Sequence, residues 1–157
     1  MPELTIRPAT DADIRDFAAW RHQAPYDVYN ITGKIEGVVE YFLRPSTNCH
    51  VIVRGQELAA FFTYGSDAQV PGGDYTTPAL DIGLGVKPSL TGQGLGSSFV
   101  GAVVAYAREG ADRLRVTIAT GNRRAVRVWS AMGFEETQEF VSPETVMGSN
   151  VFVVLES

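Results

Sequence analysis

Leu4-Thr5-Ile6-Arg7 alternates apolar and polar residues, the period of a half-buried strand, and runs out at Pro8. Thr10 or Asp11 then offers an N-cap for a helix whose apolar positions are Ile14, Phe17, Ala18 and Trp20. Residues 21–34, with Pro25, Tyr26, Tyr29 and Gly33, lack either period and read as a loop. Ile35 to Leu43 reads as a second helix, stopped before Pro45. His50 to Arg54 and Glu57 to Tyr64 read as strands joined by the two-residue turn Gly55-Gln56, which implies antiparallel pairing. A turn-rich excursion spans residues 65–78, followed by a strand over Leu80 to Val86 and a helix over Gly94 to Glu109 with Phe99, Val100, Val103, Val104 and Ala107 on its apolar stripe. Leu114 to Ala119 is predicted as a strand and Asn122 to Met132 as a helix. Glu135 to Phe140 and Val151 to Leu155 complete the chain as two strands. The order β-α-α-β-β-β-α-β-α-β-β predicts an α/β (α+β) fold, a mixed and mostly antiparallel central sheet flanked by helices. With no repeat and no linker, residues 1–157 read as one domain.

Composition narrows the function classes. The chain has 13 basic and 18 acidic residues, a formal charge of -5, which argues against a nucleic-acid binder relying on phosphate neutralisation and suits a small cationic partner. No apolar run approaches the roughly 18 to 20 residues of a membrane span, so no membrane partner is expected. Met1-Pro2-Glu3-Leu4 lacks the basic and apolar regions of a secretory leader, and one cysteine cannot form an intrachain disulfide, so a cytoplasmic location is expected. Asn30-Ile31-Thr32 matches a glycosylation sequon, which has no consequence in that setting.

The chemistry concentrates in Val86-Lys87-Pro88-Ser89-Leu90-Thr91-Gly92-Gln93-Gly94-Leu95-Gly96-Ser97, where a strand end passes through a glycine-dense turn into a helix. Glycines let backbone amides approach a ligand closely, and the helix start presents unpaired N–H groups and a positive dipole end. The segment reads as a cradle for a phosphate-bearing ligand, or as a plain helix-entry turn. It is not a P-loop: Gly96 and Gly101 have the spacing, but Ala102 stands where lysine is required. Nor is it a dinucleotide fingerprint, because Ser97 and Phe99 occupy the possible third-glycine positions. A second constellation, Asn122 to Phe134, places Ala125, Val128, Trp129 and Met132 on one helical face, with Asn122 as N-cap and Gly133 as C-terminal stop. Arg123 and Arg124 sit in its first turn, where the helix dipole disfavours cations by a few tenths to about 1 kcal/mol. They form either a solvated basic face or one that meets an external anion.

Together the two segments resemble the GNAT superfamily of N-acetyltransferases, whose coenzyme A loop reads [Q/R]-x-x-G-x-[G/A] and whose later helix reads N-x-x-A-x-x-x-Y-x-x-x-G-F. This chain has Thr91, Gly92, Gln93, Gly94, Leu95 and Gly96 in the loop, and Asn122, Ala125, Trp129, Gly133 and Phe134 at the helix spacing. The resemblance extends over nearly the whole chain and implies a GNAT-like fold with acetyl-CoA as co-substrate and no metal. It implies that the pyrophosphate rests on the amides of Gly92, Gln93, Gly94, Leu95, Gly96 and Ser97. Pantetheine would bond to the strand end at Leu84, Gly85 and Val86 and pass Asn122, and Trp129 would also belong to the cofactor-binding set. The expected reaction is direct attack by a primary amine, in a small molecule or peptide, on the acetyl thioester in a ternary complex.

Two departures concern the catalytic side. Trp129 stands where many relatives carry the tyrosine that protonates the departing thiolate, and an indole is a donor that cannot act as a practical acid, so the acid is unassigned. Thr117 stands where some relatives carry a glutamate base. An amine with a pKa near 10.4 must lose a proton before attack. In Leu80 to Val86, period two puts Asp81 on one face with Gly83 and Gly85, and a carboxylate over that open face is the candidate base, or else pairs with an arginine. Tyr26, Tyr29 and Asn30 are candidate acceptor contacts, and the 65–78 excursion a candidate second wall. His22 and His50 lack metal-ligand spacing, and Cys49 reads as a packed thiol. A non-catalytic acyl-CoA sensor is the alternative, and either a monomer or a homodimer is compatible with the sequence.

Overall fold

The computed structural model describes residues 3–157. Met1 and Pro2, half of the stretch read above for a leader, lie outside the described residues. In chain order the elements are β1 (Leu4–Pro8), α1 (Asp11–Ala18), α2 (Ile35–Leu43), β2 (His50–Arg54), β3 (Glu57–Tyr64), β4 (Leu80–Val86), α3 (Gly96–Arg108), β5 (Leu114–Ala119), α4 (Arg123–Ala131), β6 (Glu135–Val146) and β7 (Ser149–Glu156). Short 3-10 turns occur at Tyr26–Tyr29, Gly65–Ala68 and Pro88–Leu90. The seven strands form one sheet in the order β1-β2-β3-β4-β5-β7-β6. All neighbours are antiparallel except β4 and β5, which are parallel.

Each face of the sheet has its own core. α1 and α2 cover one face with Ile14, Phe17, Trp20 and Val39 against Val51, and Phe61 of β3 stacks on Phe17 at 4.0 Å between ring centroids. α3 and α4 cover the other with Phe99, Val103 and Trp129 against Ile52, Phe62, Ile82 and Val116. Burying such side chains contributes roughly 1.5–3 kcal/mol each, which is what holds the helices to the sheet. α1 starts where the sequence predicts, because Thr10 and Asp13 cap each other reciprocally.

Most boundaries lie within a residue of the sequence reading, and the larger differences fall at the start of α3 and at the β6–β7 turn. α3 begins at Gly96 rather than Gly94, because Gly92 and Gly94 take left-handed φ of 73° and 75° and so cannot join the helix. β6 runs on to Val146, turning through Met147 and Gly148 into a β7 that starts at Ser149. β6 is the outer strand of the sheet, so its residues are mostly exposed and its apolar alternation is weak.

Candidate active site

The sheet opens in its middle. β4 and β5 pair at only two positions, Leu80 with Leu114 and Asp81 with Arg115, although β4 continues to Val86 and β5 to Ala119. Beyond Asp81, β4 is hydrogen-bonded to β3 on one side only, so Leu84, Gly85 and Val86 lie on an edge that faces the opening between the two strands. At the mouth of this opening sits the 91–97 turn. No backbone carbonyl among the described residues accepts a hydrogen bond from the amides of Gly92 through Ser98, and the N-terminus of α3 has no side-chain cap. Gly92 and Gly94 have open space where a Cβ would stand. Seven unengaged amides around a helix start form an anion cradle by charge and shape, and they fit a pyrophosphate. Gln93 bends back to donate to the Ser89 carbonyl at 2.5 Å, and Leu95 packs inward against the core.

The opposite lip is the start of α4. Asn122 accepts from the Ala125 amide through Oδ1, which turns its Nδ2 outward to donate to Tyr29 Oη at 3.1 Å. The 21–30 segment thus reaches across the opening. Arg124 lies over the Tyr26 ring at 4.3 Å, and both line a cavity of about 490 Å³ with Arg21, His22, Ser89 and Thr91. Its lining contains two guanidinium groups and no carboxylate. Burial and the neighbouring Arg124 charge hold His22 below its ordinary range, and therefore neutral at pH 7. The arginine at the α4 start, disfavoured by the helix dipole, meets a site that suits an anion. Asn30 accepts from the His22 amide at 2.6 Å and so ties the loop closed.

Of the two readings the sequence leaves open for Asp81, the structure shows the pairing with an arginine, and the face it stands on is not open. The face above Gly83 and Gly85 is filled: a Cβ on Gly85 would meet the Phe61 ring at 2.5 Å, and one on Gly83 would meet Thr63 Oγ1 at 3.1 Å. Asp81 is 3% exposed and takes Arg115 through both oxygens, at 2.6 and 2.9 Å, with Gln69 Nε2 on its second oxygen at 2.9 Å. Arg115, 2% exposed, also donates to the Thr77 carbonyl and lies 4.9 Å from the centre of the Tyr75 ring. The 65–78 excursion is therefore pinned onto the sheet where the opening closes. Trp129 belongs to the core: it is 5% exposed and packs edge-on against Phe134 at 5.0 Å.

The structure adds Tyr75, which sequence reasoning did not single out, as a partner of Thr117. Tyr75 Oη lies 2.8 Å from Thr117 Oγ1 and accepts from the Val70 amide at 2.9 Å. Arg115, one of only two polar residues in the strand Leu114 to Ala119, was the available signal that a partner would lie across the strands. Among the described residues no group of three or more metal-ligating side chains comes together, and no helix is long and apolar enough to cross a membrane.

Comparison with known proteins agrees with this architecture. A family model described as an acetyltransferase (GNAT) domain matches residues 3–135. A chimera of the Vibrio cholerae spermidine N-acetyltransferase SpeG and hSSAT superposes with a TM-score of 0.77 at 15% identity, over 98% of this chain and 93% of that one. The aminoglycoside acetyltransferase AAC(6')-Ib, solved with coenzyme A, gives 0.76 at 18% identity, over 99% and 94%. yncA from Salmonella typhimurium, solved with acetyl-CoA, gives 0.68 at 17% identity, over 98% and 92%. A search of curated protein sequences finds no match. A cradle of free amides, a sheet opened between β4 and β5, and a family match over most of the sequence agree: the chain belongs to the GNAT acetyltransferase family.

Proposed function

We propose that the chain transfers an acetyl group from acetyl-CoA to a primary amine by direct attack in a ternary complex. The observation that carries this reading is the run of unengaged amides from Gly92 to Ser98 at the mouth of an opening whose far end is lined by polar side chains. In this reading Gly92, Gln93, Gly94, Leu95, Gly96 and Ser97 hold the pyrophosphate through backbone N–H groups, and Arg124 and Arg21 supply positive charge beside it. Leu84, Gly85 and Val86 offer the unpaired strand edge to pantetheine, and Asn122 borders it. The co-substrate, when bound, supplies an activated acyl group on a good thiol leaving group. Support comes from related folds solved with coenzyme A and acetyl-CoA, and from the named amine substrates of the spermidine and aminoglycoside enzymes.

Tyr26 and Tyr29 border the acceptor entrance, while Asn30 shapes the loop that carries them. Asp81 holds Arg115 and the 65–78 segment in place, and the amine proton leaves through another group. The acceptor is a small molecule or a peptide, the chain acts as one domain in the cytoplasm, and no metal takes part. The test is calorimetry with acetyl-CoA, followed by thiol release across a panel of amines. Micromolar binding with amine-dependent release supports the proposal. Tight binding without turnover on any amine favours a sensor, a reading to which Trp129 and Thr117 at the usual acid and base positions lend weight. Absence of binding refutes both.

A further inference from the structure

Transfer from a thioester to an amine moves one proton from nitrogen to sulfur, and the opening between β4 and β5 has few groups able to carry it. Asp81 and Arg115, at the closed end, spend their hydrogen bonds on each other, on Gln69 and on the Thr77 carbonyl. Tyr29, at the open end, accepts from Asn122 beside the cradle. Two residues beyond the last β4–β5 pair, Thr117 projects on the same side of β5 as Arg115 and meets Tyr75.

This pair has a proton to spare. Tyr75 and Thr117 share one hydrogen bond at 2.8 Å, and the Val70 amide occupies a lone pair of the phenol. Two hydroxyls with one bond between them leave one O–H uncommitted, and neither residue is fully buried. A backbone N–H on the oxygen and the Arg115 guanidinium over the ring hold the phenol in this position. The other charged groups nearby are Asp81 on β4, Glu156 on β7 and Asp74 on the same excursion.

We propose that Tyr75, oriented by Thr117 and the Val70 amide, is the proton carrier of the transfer. This rests on the acetyl-transfer reading above. The unprotonated amine attacks the acetyl carbon, the C–N bond forms, and the C–S bond breaks with its electron pair passing to sulfur. Tyr75 gives its proton to that sulfur, directly or through the Thr117 hydroxyl, and regains one from the nitrogen. The products are the amide and the free thiol, with Tyr75 restored.

Tyr75→Phe tests the assignment in two independent ways. In the first, kcat for the best amine falls about 100-fold or more, the usual contribution of a positioned acid–base group, while the Kd for acetyl-CoA stays within twofold. The second needs no turnover. A thiol ionises near pH 8.5, and a phenol donating to the thiolate makes free CoA bind more tightly as pH rises from 7 to 9.5. Measured against acetyl-CoA, which carries the same phosphates, that preference rises about tenfold in the wild type and stays flat in Tyr75→Phe. Thr117→Val, which keeps the phenol, shows a smaller loss in both. If Tyr75→Phe retains kcat within threefold and the pH-dependent preference for free CoA, the proposal is overturned. If the wild type transfers to no amine, the acetyl-transfer reading fails, and the thiol-binding comparison alone decides Tyr75.

Discussion

Replacing Asp81 with asparagine keeps the size of the side chain and removes the charge facing Arg115. The guanidinium it leaves is 2% exposed and keeps only neutral partners, the Thr77 carbonyl, the Tyr75 ring and the single amide oxygen of the new side chain. Removing one partner of a buried ion pair costs about 3–5 kcal/mol, because the other charge stays desolvated. A chain of this size loses about 2–4 °C in Tm per kcal/mol, so Asp81→Asn should lower Tm by about 6–20 °C. The assay is circular-dichroism melting at pH 7, with thiol release measured well below the transition. Asp81→Leu combined with Arg115→Met removes both charges, a change often neutral or better, and leaves only the Gln69 amide and the Thr77 carbonyl to find water, at about 1 kcal/mol each. The double variant should therefore melt above Asp81→Asn. A Tm within 2 °C of wild type for Asp81→Asn, together with a large loss of rate, would refute the structural role and return Asp81 to the position of base.

Three further expectations follow from single features. Gly94→Ala puts a Cβ into the cradle at a φ of 75°, which costs about 1–2 kcal/mol of backbone strain; calorimetry should show acetyl-CoA binding weakened tenfold or more, and unchanged affinity would mean the ligand's phosphates lie elsewhere. Burial pushes the Cys49 thiol up to about 12, so a disulfide reagent at pH 8 should label the native chain very slowly and the unfolded chain at once; fast native labelling would contradict the burial. The Arg7 guanidinium, with help from Thr10, holds the Asp13 carboxyl below its usual range. A depressed carboxyl contributes stability that is fully present above the unfolded value near 3.9 and is lost as pH falls through the lower folded value. Asp13→Asn should accordingly flatten the acid limb of Tm against pH, and an unchanged limb would show that other carboxylates dominate it.

Most of the architecture could be read from local pattern. Strand and helix periods, the Thr10 cap, the Gly55-Gln56 hairpin and the Asn122 cap are decided by residues within a few positions of one another, so sequence carries them directly. The glycine turn with its free amides was legible for the same reason. Its glycines and the following helix are contiguous, and the positive φ at Gly92 and Gly94 answers to the absence of a side chain.

What escaped the sequence is what depends on partners far along the chain. Asp81 stands on a face that period two makes look open, because alternation specifies which side a residue takes but not what packs there. Phe61, Thr63 and the 65–78 excursion fill that side, and Arg115, 34 positions away, closes on the carboxylate. Tyr75 and Thr117 are 42 positions apart and meet only because β5 is drawn beside β4 and the excursion folds over both. Register and loop placement are set by the total of buried area and satisfied polar groups, a property of the whole chain. Local residue order therefore specified the elements and the glycine turn with its free amides, whereas the Asp81–Arg115 pair and the Tyr75–Thr117 contact exist only in the assembled sheet.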